Sequence, residues 1–171
     1  NAAVACETEV FVFGGLCVMA EGRRSLSSYA TGKSPNMHGV CSPASHVSYR
    51  EEGGELVSRL GEFTINRVGQ SEPVAYPTLC KGRFKTALEC GHIFEEPASL
   101  DARHLLPQLA DAGVTAFKIE GRQRSRAYTG AVVRAFRAAV DAMARGEPLP
   151  ADLLIGLTEG QQATSGAYLK T

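Results

Sequence analysis

The chain has 171 residues, enough for one hydrophobic core of respectable size. Apolar residues make up 44% and charged residues 21%, the balance of an ordinary globular protein and not of a disordered or fibrous one. Lys plus Arg equal Asp plus Glu at 18 each, so bulk charge makes no case for nucleic acid or an acidic membrane as partner.

The first element is "EVFVFG", Glu9 to Gly14, where β-branched and aromatic residues end on glycine in the manner of a buried strand. The apolar run from Val10 to Ala20 is broken by Gly14 and Gly15 and is too short to span a bilayer. From Cys17 to Pro43 the chain is rich in Gly, Ser, Pro and Asn and lacks periodicity. A loop of that length inside a compact domain needs something to tie it down, and a metal would do so. Val47 and Tyr49 alternate ahead of Glu51-Glu52-Gly53-Gly54, and alternation resumes at Leu56, which predicts a β-hairpin. "YPTLCKGRF" holds Cys80 in a turn between Pro77 and Gly82.

Asp101 and Pro107 are start signals for short helical pieces, and Gly113 is a stop. Val114 to Ile119 reads as a strand that ends at Glu120-Gly121-Arg122. Ser125 caps a helix of about twenty residues whose Val132, Val133, Phe136, Val140 and Met143 form one apolar face. Gly146 and Pro148 end it. The tail, "TEGQQATSGAYLKT", reads as polar and irregular. Helix, strand, helix in this order predicts an α/β fold.

Five cysteines (Cys6, Cys17, Cys41, Cys80, Cys90) are too few and scattered for a disulfide scaffold. No secretory signal is visible, so a reducing cytoplasm is the expected compartment, where cysteines are buried, reactive or metal-bound. Chemistry in α/β proteins gathers at the carboxyl ends of strands. Two strand ends here carry reactive groups, the Gly14–Cys17 turn and Glu120-Gly121-Arg122, which predicts a site built from both. Glu9, Glu120 and Arg122 are the candidate pocket residues, since carboxylate plus guanidinium can position a polar substrate. For Glu120 and Arg122 a structural ion pair stands as the alternative, and for Glu9 a surface position at the strand start. Arg122, Arg124, Arg126, Arg134 and Arg137 would suit phosphate or carboxylate, but read first as a solvated helix face. His38, His46, His92 and His104 read as surface or satisfied polar residues, and no Ser/His/Asp or Cys/His arrangement supports proteolysis.

"EVFVFGGLCVMAEGRRSLS" resembles the signature of the family historically called collagenase-like peptidases. Glu9, Phe11, Gly14, Leu16, Cys17, Gly22, Leu26 and Ser27 match it; Gly15 is a mild departure, and Arg24 stands where the signature has a second cysteine. "LSSYATGKSPN", "GVCSPASHV", "YPTLCKGRF", "EEPASL", "KIEGRQRS" and "TEGQQATSGAY" are similar, in order, to the family's UbiU-like branch. The resemblance implies a single domain, residues 1–171, forming the carboxyl-terminal portion of a TIM-barrel-like fold with a long cysteine-bearing loop and a β-hairpin insertion. The chain starts at Asn1, and the amino-terminal half of such a barrel is expected to precede it.

The resemblance further implies a [4Fe–4S] cluster with Cys17, Cys41 and Cys80 as ligands. It implies oxygen-independent ring hydroxylation in ubiquinone biosynthesis, with a UbiV-like homologous partner, a ubiquinone precursor as substrate and prephenate as oxygen source. Other members of the family hydroxylate RNA bases; nucleic acid is not the expected partner here. Arg24 leaves three outcomes open, because a guanidinium has no lone pair to give iron. The cluster is held by three cysteines with one iron open, or Cys90 or, less readily, Cys6 substitutes, or the site is vestigial and the chain a non-catalytic scaffold.

Overall fold

A computed structural model describes residues 6–17, 24–72, 74–94, 96–122, 124–150, 154, 156–158 and 162–169. Gly22 of the signature lies outside them. The chain runs through β1 (Glu9–Gly15), α1 (Ser25–Thr31), α2 (Pro35–His38), β2 (Val47–Glu52), β3 (Glu55–Leu60) and β4 (Phe63–Val68). It continues through β5 (Arg83–Lys85), β6 (Cys90–His92), β7 (Ala98–Asp101), α3 (Leu106–Asp111), β8 (Ala116–Ile119), α4 (Arg126–Ala144) and β9 (Gln162–Thr164). No described helix is long and apolar enough to cross a membrane. The chain divides into two compact units, residues 1–16 with 98–171, and residues 17–97.

The first unit is a mixed α/β layer with strand order β8-β1-β7-β9. β1 runs parallel to β8 and antiparallel to β7, and β7 runs parallel to β9. The described residues therefore form no closed barrel, and the antiparallel β1–β7 pair, with Phe13 opposite Asp101, differs from the all-parallel ring of a (β/α)8 barrel. Side-chain periodicity locates a strand, but its neighbour's direction is set by hydrogen-bond register, which a single sequence does not display. The tail also differs from its reading as irregular: Gln162 to Thr164 pair with Ala98 to Leu100 through backbone groups that need no apolar pattern.

Ser125 caps α4 as expected, its Oγ accepting from the Tyr128 backbone N–H at 3.1 Å. The buried face is Val132, Ala135, Phe136, Ala139 and Ala142. Val133, expected inward, is 48% exposed, because it lies about 100° around the helix from Val132. The three alanines take its place and let the helix approach the sheet closely. Phe136 meets Phe13 of β1 at 5.7 Å between ring centroids, tilted by 55°.

In the second unit β2, β3 and β4 form an antiparallel meander, so the expected hairpin carries a third strand. Gly53 and Gly54, at φ 61° and 83°, make the tight turn between β2 and β3. Leu26 and Ala30 of α1 pack against Leu60, Ile65 and Leu79. The segment from Cys17 to Pro43, expected to be a loop, holds α1 and α2. Each is ended by a left-handed glycine, Gly32 and Gly39, and is too short to show helical periodicity.

Arg83 of β5 ties its neighbours together. Its Nε donates to Asn66 Oδ1 at 2.5 Å and its Nη1 to Glu72 Oε1 at 3.0 Å. The Arg83 bond, a bond from the Gly69 N–H and the Arg83 charge hold the Glu72 carboxyl below its usual range.

At the carboxyl ends of β1 and β8, Gly14 lies against Glu120; a Cβ on Gly14 would fall 2.6 Å from Glu120 Cβ. That atom cannot swing aside, so Gly14→Ala is expected to destabilise the first unit by about 1–3 kcal/mol, read as a lower denaturant midpoint. The lowered Glu72 pKa adds stability that is present above the unfolded-state value and lost as pH falls through the folded-state value. Glu72→Gln is therefore expected to flatten the fall in stability between about pH 5 and pH 3, measured by chemical denaturation across that range.

Candidate functional site

The second unit holds four of the five cysteines, Cys17, Cys41, Cys80 and Cys90, all of them free thiols. Cys17 follows β1 by two residues, Cys41 follows α2, and Cys80 sits in the 3-10 turn Leu79–Lys81. Two hydrogen bonds hold the Cys41 segment beside the Cys80 segment. Ser42 Oγ donates to the Pro77 carbonyl at 2.6 Å, and the Ser42 N–H donates to Tyr76 Oη at 3.1 Å. Ser42 is 2% exposed, and its bond to the Pro77 carbonyl is buried.

The Cys80 turn is equally constrained. Thr78 Oγ1 lies 3.6 Å from Cys80 Sγ, and the Lys81 N–H donates to the Thr78 carbonyl at 3.1 Å. A Cβ on Gly82 would fall 2.5 Å from Phe84 Cζ, so glycine is what lets the chain leave the turn here. Burial pushes the Cys80 thiol up; the Thr78 bond and the Lys81 charge pull it down, while Cys41 and Cys17 push it further up. Cys90 is exposed on β6 opposite Lys85.

Among the described residues no group of three or more His, Cys, Asp or Glu is drawn close enough to hold a single metal ion. A polynuclear cluster spreads its thiolates farther apart than the 2.3 Å bonds of one tetrahedral ion allow (roughly, for zinc). Thiols are the donors such a cluster takes, and Cys41 and Cys80 stand on segments joined by the Ser42 bonds.

Arg24 immediately precedes α1, the helix whose Leu26 and Ala30 pack in one cluster with Leu79 of the Cys80 turn. Its Nε is buried and has no hydrogen-bond partner among the described residues.

The first unit carries the other candidates. Glu120 is half-buried at the end of β8, its backbone N–H donating to the Phe13 carbonyl at 2.8 Å. Its Oε1 accepts from the Arg122 N–H at 2.7 Å, so the expected Glu120–Arg122 relation includes a backbone contact that orients the carboxylate. Arg124 stacks over the Tyr128 ring at 5.2 Å. Burial raises the Tyr128 pKa; Arg124 opposes that and Glu120 adds to it. Tyr128, which sequence reasoning did not single out, thereby joins this polar group, and its hydroxyl donates to the Leu157 carbonyl at 2.9 Å.

Glu9 is placed elsewhere, at the opposite end of the β1–β8 pair. Its Oε1 accepts from Lys118 Nζ at 2.7 Å, and Lys118 also lies over the Phe11 ring. The helix arginines are partly spoken for, since Arg137 pairs with Asp141 one turn on at 2.5 Å. His92 Nδ1 lies 3.2 Å from the Gly82 carbonyl, a satisfied polar contact as expected. Ser42 and Tyr76 were also missed, although both stand inside the blocks "GVCSPASHV" and "YPTLCKGRF". The only sequence signal was nearness to a cysteine, Ser42 beside Cys41 and Tyr76 four residues before Cys80.

Comparison with known proteins places this geometry in context. The chain is 31% identical over 165 residues to tRNA hydroxylation protein P of Escherichia coli (strain K12), covering 86% of this chain and 36% of that protein. It is 28% identical over 137 residues to the 23S rRNA 5-hydroxycytidine C2501 synthase of the same organism, covering 79% of this chain and 16% of that protein. A collagenase of Porphyromonas gingivalis is 28% identical over 138 residues, with 81% of this chain and 30% of that protein covered. The chain thus spans about a third or less of these relatives' length, and no solved structure matches it. The model of Peptidase family U32 matches residues 1–163, nearly the whole chain, and the protein belongs to that family.

Proposed function

We propose that this chain is the cysteine-bearing part of an iron–sulfur hydroxylation protein, in which Cys17, Cys41 and Cys80 hold a [4Fe–4S] cluster. The observation that carries the reading is the pinning of the Cys41 segment to the Cys80 segment through Ser42. When bound, the cluster supplies Lewis-acid and electron-transfer chemistry. The chain's own residues do the rest. Ser42 and Thr78 fix the ligand segments, and Glu120, oriented by the Arg122 N–H, presents a carboxylate for a polar substrate beside Tyr128. Glu9 stays with Lys118 at the opposite end of the β1–β8 pair and takes no part in this reading.

For the substrate we propose a ubiquinone precursor, with prephenate as oxygen source and a UbiV-like partner subunit. The ordered UbiU-like segments along the chain support that choice, and so does the zero net charge, which gives no bulk attraction to RNA. In this reading the chain is the carboxyl-terminal portion of a larger barrel protein. A second reading, hydroxylation of an RNA base, is favoured by the names of the Escherichia coli relatives, which act on transfer and ribosomal RNA.

Anaerobic reconstitution followed by iron and acid-labile sulfide assay tests the centre. The parent is expected to take up both, and Cys80→Ser to lose most of them with its fold intact by circular dichroism. Equal uptake by the two would remove Cys80 from the ligand set. Affinity capture from anaerobically grown cells separates the substrates: a homologous U32-family partner supports the quinone reading, and enriched transfer or ribosomal RNA supports the second.

A further inference from the structure

We infer that the buried Thr78 hydroxyl tunes the cysteine centre: it donates a hydrogen bond to the Cys80 sulfur and, with a cluster bound there, raises the reduction potential of that cluster. The inference rests on the cluster reading above, of which it needs only Cys80 as a ligand. It goes beyond that reading by naming a group that sets the electron affinity of the site.

Thr78 stands at the start of the 3-10 turn Leu79–Lys81, where a hydroxyl ordinarily caps free backbone N–H groups. Here the side chain makes no cap bond. The Thr78 backbone holds the turn by itself, its N–H donating to the Tyr76 carbonyl at 2.8 Å and its carbonyl accepting from the Lys81 N–H at 3.1 Å. The residue is 3% exposed, so its hydroxyl needs a partner inside the protein. That partner is Cys80 Sγ, 3.6 Å from Thr78 Oγ1 and within bonding distance for the larger sulfur atom. Leu79, between the two residues, is anchored in one cluster with Leu60 and Ile65, which fixes the turn that carries both groups.

A thiol can play either part in this bond, but a ligating thiolate has no proton to give and can only accept. The Thr78 hydroxyl then donates to a sulfur whose negative charge grows when the cluster takes up an electron. A hydrogen bond to an anion strengthens with the charge, so this one favours the reduced state. Thr78 is no ligand itself; it acts through Cys80.

Potentiometric titration of the anaerobically reconstituted protein tests this, with dithionite supplying the electron and electron paramagnetic resonance counting the reduced cluster. Thr78→Val keeps the shape of the side chain without the donor. At a fixed potential its reduced-to-oxidised ratio is expected to fall about tenfold, a lowering of the midpoint by about 59 mV for one electron. Thr78→Ser, which keeps the hydroxyl, is expected to stay near the parent. Equal midpoints for the parent and Thr78→Val overturn the inference, as does a Thr78→Ser midpoint as low as that of Thr78→Val; both results leave the cluster reading standing. The parent alone supplies a second measurement should a variant lose its cluster. Transfer into D2O is expected to shift its iron–thiolate stretching bands in the resonance Raman spectrum, and bands that do not move overturn the inference. A parent that takes up no iron and sulfide overturns the cluster reading itself, and this inference with it.

Discussion

In the second unit the Cys41 segment is pinned by one buried residue. Ser42, beside Cys41, donates to the Pro77 carbonyl and, through its backbone N–H, to the Tyr76 hydroxyl. Neither partner belongs to a regular element, so no sheet or helix ladder would otherwise hold residues 41 and 80 near each other. Burial makes the bond to Pro77 costly to lose, because the Ser42 hydroxyl would be left without access to water. Around this pin the rest is arranged by close approach. Gly82 admits Phe84, Gly61 admits the Ala30 carbonyl of α1, and Arg83 gathers Asn66 and Glu72.

The first unit uses different physics for a comparable end. Its strand ends are brought together by a parallel β1–β8 pair, with a register irregularity between Phe11 and Phe13. Gly14 then lets Glu120 lie directly on the strand, and the Arg122 N–H fixes the carboxylate. What results is a compact polar group of Glu120, Arg122, Arg124 and Tyr128 at the carboxyl ends of two parallel strands, the place where α/β proteins keep their reactive side chains.

Much of this was legible in the residues. Strand β1, the Ser125 cap, the Gly113 and Gly146 stops and the Gly53-Gly54 turn each follow from a local rule, and each stands where that rule puts it. The failures share a cause: they concern relations between distant segments. The antiparallel β1–β7 pair and the β7–β9 pair depend on backbone register. The inward alanines of α4, preferred over Val133, depend on how near the helix lies to its sheet. Pinning of Cys41 by Ser42 spans more than thirty residues of chain. Glu9 illustrates the reverse case, because the signature marks it while its carboxylate serves a cross-strand pair with Lys118.

The central claim is that Cys17, Cys41 and Cys80 form one polynuclear iron–sulfur centre. Iron K-edge X-ray absorption on the anaerobically reconstituted chain addresses it most directly. The account predicts sulfur as the dominant first shell together with a resolved iron–iron scattering path. A first shell of nitrogen and oxygen with no iron–iron path would contradict it.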